Sequence, residues 1–72
     1  MTPNEEKKLS LTQKEEIILQ LISEGKTSKE IADILCLSLN TIKWYRKKLK
    51  AKFDSSSTIQ TVRKAIDLGI IN

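Results

Sequence analysis

The chain has 72 residues, 39% hydrophobic and 31% charged, which makes one small domain near the lower limit for a self-sufficient core. It lacks histidine and has a single cysteine, which removes zinc sets and catalytic triads built on His, excludes an internal disulfide and fits a reducing cytosol. No apolar run approaches the roughly 18 residues of a membrane span. Six of the 13 basic residues and none of the 9 acidic ones fall between Ser38 and Phe53, so the net charge of +4 comes from that one segment.

In chain order, residues 1–10 (MTPNEEKKLS) are polar, lack the apolar stretch of a signal peptide, and are expected to be a flexible lead or linker. Residues 12–24 predict a first helix. Thr12 and Glu15 form a T-x-x-E capping box, and Leu11 is placed to staple against Ile17. Ile18, Leu21 and Ile22 form its inward stripe, broadened by Ile17 and Leu19, and Gly25 is a left-handed stop. Residues 27–35 predict a short second helix with a second capping box, Thr27 to Glu30, and Ile31, Ala32 and Leu35 on one face. Cys36 and Leu37 make a tight connection, and Ser38 caps a basic third helix over about 39–53. Ser57 and Gln60 form one more cap pair, and a fourth helix runs from about 58 to 68. Its inner stripe is Val62, Ala65 and Ile66; Gly69 ends it, and Ile70 and Ile71 fold back on the core. The fold class is therefore all-α: a compact four-helix unit, with residues 27–53 outlining a helix-turn-helix whose second member is basic.

On the third helix, at about 100° per residue, Ile42, Leu49 and Phe53 share one side, with Tyr45 on its flank. The opposite side carries Trp44, Lys47, Lys48 and Ala51, with Lys43 and Lys50 on one shoulder. An α-helix fits the major groove of B-DNA. The outward side chains Lys43, Trp44 and Lys47 are the candidates to meet bases, while Lys48 and Lys50 sit nearer the phosphates. Free amides at helix starts bind phosphate, which adds Thr27, Ser28 and Lys29, and Asn40 and Thr41. Lysine donates to guanine O6 and N7, and a Trp in the groove meets a thymine methyl or wedges against sugars. The bland alternative is a solvated basic helix with a half-exposed Trp.

Several blocks at fixed spacing carry a resemblance. They are Leu11-Thr12-x-x-Glu15, Gly25-x-Thr27-x-Lys29-Glu30-Ile31-Ala32, Leu35, Ser38-x-x-Thr41-Ile42-Lys43, Lys52-Phe53, Ser57, Val62, Ala65 and Leu68-Gly69-Ile70. From Leu11 to Ile71 the chain resembles the LuxR/GerE-type helix-turn-helix domain. The resemblance implies a DNA-binding domain over 11–72 in a bacterial transcription regulator, as the output end of a response regulator or ligand-sensing protein, with the third helix in the major groove. It places Lys43, Trp44 and Lys47 where that family reads bases. Ser28, Lys29, Asn40, Thr41 and Arg46 fall at or beside phosphate-contacting positions. Three departures stand out: Tyr45 where the family often has His, Phe53-Asp54-Ser55 where it often has Leu-Gly-Val, and a large Trp44 where it has a small or polar residue.

The resemblance also implies pairing of two protomers through the fourth helix. There Ile59, Arg63 and Ile66 recur at i, i+4 and i+7; they either complete the core or form an isologous dimer face. Double-stranded DNA is the main partner, with RNA polymerase as a further candidate, in the cytoplasm at the nucleoid. Rival readings are promoter binding like that of sigma-factor region 4, which shares the Leu11-Thr12-x-x-Glu15 and Glu30-Ile31-Ala32 features, and a protein-interaction module anchored on Trp44. A membrane-surface helix has only Trp44 and Ala51 to insert. No enzyme, cofactor or metal is expected: Glu15, Glu16, Glu24 and Glu30 serve as caps or solvated charges, Ser55-Ser56-Ser57 is a loop and a cap, and Cys36 is a small turn-filling residue.

Overall fold

The computed structural model describes residues 10–72, so the lead expected over 1–10 lies almost wholly outside the described residues. Four helices follow in order: α1 (Gln13–Ser23), α2 (Ser28–Leu35), α3 (Leu39–Lys52) and α4 (Thr58–Asp67). Each starts on a hydroxyl cap. Thr12 Oγ1 accepts from the Glu15 amide and Thr27 Oγ1 from the Glu30 amide, both at 3.1 Å, and each glutamate returns the bond to the cap amide. Ser38 and Ser57 cap α3 and α4 in the same way, without a returning carboxylate. The Gln60 side chain does not reach back to Ser57; it accepts from the Ser56 amide and hydroxyl.

All four helices end alike. After α1 the Gly25 and Lys26 amides donate back to Ile22 and Leu21, and the same paired bonds recur after α2, α3 and α4. This ending requires one residue in the left-handed region. Gly25 and Gly69 supply it without a Cβ penalty, but Cys36 (φ 58°) and Asp54 (φ 52°) occupy it as well. The helix-turn-helix connection therefore turns on a cysteine in a conformation that glycine would adopt freely.

The core is Ile18 and Leu19 of α1, Ile31 and Ala32 of α2, Ile42 and Leu49 of α3, Phe53, Ala65 of α4 and Ile71 of the tail. The tail folds back as expected. Two expected core positions are corrected. Ile17 is 40% exposed, because α1 buries the arc Glu15, Ile18, Leu19 instead. Ile66 is 45% exposed and does not belong to the inner stripe of α4, where Thr61 and Ala65, one turn apart, take the buried arc. α4 also stops at Asp67, with Leu68 as its cap. Thr61 is tolerated inside because its hydroxyl donates to the Ser57 carbonyl at 2.9 Å and pairs with the Ser55 hydroxyl. The serine at position 55 is thus matched by a threonine across the loop. Lys64 Nζ donates to the carbonyls of Phe53 and Asp54, each at 3.0 Å, tying α4 to the end of α3.

Candidate nucleic-acid interface

α3 packs most extensively on α2 and is held from its other sides by α1 and α4. Burial of Ile42, Leu49 and Phe53 fixes its rotation, so its opposite arc faces solvent. On that arc Asn40, Lys43 and Lys47 are exposed and Trp44 is 54% exposed. Neither Lys43 nor Lys47 has an ion-pair partner among the described residues. No acid sits in the first turn of α3. Thr41 is half-buried, its amide and hydroxyl both engaged with the Ser38 hydroxyl.

α2 starts at its end opposite the Cys36–Leu37 turn. Its capping box uses the amides of Thr27 and Glu30. That leaves the amides of Ser28 and Lys29 for an external acceptor. Lys29 is exposed and Ser28 half-buried. Glu30 is held below its ordinary carboxyl value chiefly by the Thr27 amide.

The remaining cations of α3 are partly engaged with the protein. Arg46 Nη2 donates to Thr58 Oγ1 of α4 at 3.4 Å, and Lys50 is half-buried on the same side. On the other shoulder Lys52 Nζ donates to Glu15 Oε1 at 2.8 Å and to the Ser10 carbonyl at 3.0 Å. Lys48 Nζ lies 3.3 Å from Glu15 Oε2 and 4.8 Å over the Trp44 ring. Tyr45 meets that indole edge-on, 5.0 Å between centroids and 74° between planes.

Glu15 is the residue sequence reasoning placed too lightly. It caps α1 as expected, but it is fully buried rather than solvated. Burial pushes its carboxyl up; the bonds from Lys52 and the Thr12 amide and the nearby Lys48 ammonium together outweigh this and hold it below its ordinary value. The signal was present: Glu15, Ile18, Leu19 and Ile22 recur at i, i+3, i+4 and i+7, so the carboxylate lies in line with the apolar stripe.

Ile59 is 74% exposed and Ile66 45%, so neither completes the core. With Arg63, also exposed, they mark the outer face of α4. Beside them Ile22, Ser23, Thr58, Ile59, Val62 and Arg63 line an open cleft of ≈ 210 Å³ between α1 and α4. Among the described residues no group of His, Cys, Asp or Glu is arranged to hold a metal, and no helix is long and apolar enough to cross a membrane.

A capped helix pair joined by a tight turn, its second member presenting lysines and a tryptophan outward, defines a helix-turn-helix DNA-binding domain. Residues 9–65 match the family model of bacterial regulatory proteins, luxR family, and the chain belongs to that family. It is 43% identical over 60 residues to an uncharacterized response regulatory protein of Escherichia coli (strain K12), YgeK, covering 83% of this chain and 41% of that one. Among solved structures it is similar to the transcription factor GerE, with a TM-score of 0.83, 26% identity, and 86% of this chain and 92% of that one covered. It is also similar to VqmA of Vibrio cholerae in a ligand–DNA complex, with a TM-score of 0.80, 35% identity, and 86% and 27% covered. The chain thus spans less than half the length of YgeK. It is the DNA-binding domain of a luxR-family transcriptional regulator, a family of regulators rather than of enzymes.

Proposed function

We propose that residues 11–72 bind duplex DNA with α3 in the major groove, as the output end of a regulator that acts in the cytoplasm at the nucleoid. Lys43, Trp44 and Lys47 meet base edges. Thr27, Ser28, Lys29, Asn40, Thr41 and Lys50 approach phosphates, with Arg46 exchanging its protein partner for phosphate where the backbone comes close; Lys48, expected from the sequence near the phosphates, stays with Glu15. The outer face of α4, with Ile59, Arg63 and Ile66, pairs two protomers on a two-fold site, and RNA polymerase is a downstream partner. The observation that carries this reading is the unpaired outward arc: Lys43, Trp44 and Lys47 face solvent on a helix whose rotation is fixed by its buried side.

The test is a salt series of binding to random-sequence duplex. With about 5 phosphates neutralised, the log–log slope is expected near −4 to −5. On random-sequence duplex Lys43 and Lys47 find no selected base edge and rest against phosphates, so in the Lys43→Ala, Lys47→Ala double variant the slope becomes shallower by about 2. A folded domain that fails to bind at low salt refutes the reading and directs attention to a protein partner for the Trp44 face.

A further inference from the structure

The outward arc of α3 holds a limited chemistry. Lys43 and Lys47 are donors only, and Asn40 offers one amide as donor and acceptor. Trp44 alone brings a large apolar surface to that arc; Leu39, 40% exposed, lies one turn before Lys43 on the shoulder that Lys43 shares with Lys50. Ala51 shares the arc but lies seven residues on, about 10 Å further along the helix, and offers a single methyl. In the major groove the apolar group is the C5-methyl of thymine. The indole is also held. Lys48 Nζ sits 4.8 Å over its ring, and Tyr45 meets it edge-on. The same ammonium lies 3.3 Å from Glu15 Oε2, which has no hydrogen bond of its own. The other oxygen of Glu15 is fixed by Lys52 at 2.8 Å and the Thr12 amide at 2.9 Å. A buried carboxylate so fixed has no room to follow a wandering partner. The line from Glu15 through Lys48 to Trp44 therefore runs from the core to the reading surface.

We infer that Trp44 is the specificity-determining residue of this domain, selecting a thymine through its C5-methyl, and that Lys48, tethered to buried Glu15, is the positioning residue that holds the indole for it. This rests on α3 being the groove-reading helix and adds which base that helix selects. An indole free to rotate would meet sugar, phosphate or any base alike. One held by a cation on one face and a ring on its edge offers a fixed apolar patch, which discriminates only where a methyl fills it. Lys48 shares its charge with Glu15, so it is poorly placed to spend that charge on a phosphate, in contrast with Lys50.

The experiment selects a preferred duplex from a randomised pool with the 72-residue chain. Each thymine of the selected duplex is then replaced in turn by deoxyuridine, which removes only the methyl. At one position per half-site the parent is expected to lose about fourfold in affinity, the worth of one buried methyl. Trp44→Ala brings that thymine-to-uracil ratio to about one. Lys48→Gln lowers it, whereas Lys48→Arg, which keeps the cation, retains it. A lysine that only contacted phosphate would change affinity for both duplexes equally and leave the ratio alone. Three results overturn the inference: a selected site without thymine, a ratio of one at every thymine in the parent, or a ratio untouched by Trp44→Ala. A ratio equal in Lys48→Gln and parent removes Lys48 from the positioning role. If the parent binds no duplex at low salt, the groove-reading helix itself is refuted, an outcome distinct from binding that ignores the methyl.

Discussion

Replacing Glu15 by Gln tests the anchor of α3 most directly. Glutamine keeps an oxygen for the Thr12 amide, so the cap survives, but it removes the charge that faces Lys52 and Lys48. A hydrogen bond to a charged group contributes about 1.5–3 kcal/mol, and breaking a fully buried pair costs about 3–5 kcal/mol. Here the lysine side chains are 39% and 27% exposed, so they return to water when released and the lower range applies. The expected loss is about 2 kcal/mol. For a domain this small, whose total stability is on the order of 4–11 kcal/mol, that is a large fraction. Tm should fall by about 8–16 °C, read by far-UV circular dichroism.

The pH dependence separates the charge from mere packing. The folded carboxyl titrates below its ordinary value of 4.5. Its stabilisation is thus fully present above that pH and is lost as pH falls through the lower folded value. The gap between parent and Glu15→Gln should be widest near neutrality and close in acid, where both carry an uncharged group. Glu30, also held low, titrates in both proteins and cancels from the difference. A gap that stays constant with pH, or one below about 0.5 kcal/mol near neutrality, refutes the charged anchor.

Two further perturbations probe the turn and the outer face of α4. Cys36 sits at φ 58° and ψ 42°, a left-handed conformation that costs a non-glycine residue about 1–2 kcal/mol. Cys36→Gly should therefore stabilise by about 0.5 kcal/mol after the larger unfolded-state entropy of glycine is set against the relief, raising the urea midpoint; a lowered midpoint would show that the thiol contributes more than its backbone costs. Ile59→Glu places a charge on the outer face of α4, where the native side chain is 74% exposed. Monomer stability should change by less than about 0.5 kcal/mol. Affinity for a duplex with two half-sites should drop while a single half-site binds nearly as before; equal loss on both would remove the dimer face.

The fold was legible because each helix start carries its own mark. Thr12, Thr27, Ser38 and Ser57 are hydroxyl caps recognisable from the residue three positions on, and the observed starts follow them directly. Helix ends were half legible. Gly25 and Gly69 announce a left-handed residue, but Cys36 and Asp54 do the same work without the usual residue type, so only the packing around them reveals it. Buried faces were misread where a polar residue occupies an inward position. Glu15 and Thr61 are both inside. The first is admitted by partners distant in sequence, Lys52 and Lys48, and the second by Ser55 and Ser57 in the loop and cap just before it. Local periodicity favours the nearest isoleucine, and it assigned Ile17 and Ile66 to the core in their place.

The basic segment shows the same limit from the other side. Its six cations read in sequence as one footprint, but their angular positions divide them. Lys48 and Lys52 turn toward α1 because Glu15 lies buried beneath that shoulder, and Arg46 turns toward Thr58 on α4. Only Lys43 and Lys47 lie on the outward arc, with Lys50 at its α4 side. A helix with all six cations free would attract any polyanion and grip its backbone without preference. Holding part of that charge against the body leaves a narrower outward strip in which Asn40, Lys43, Trp44 and Lys47 stand together, and it fixes the helix that presents them. The charge spent inside the domain is thus what turns an electrostatic patch into a surface able to distinguish one base from another.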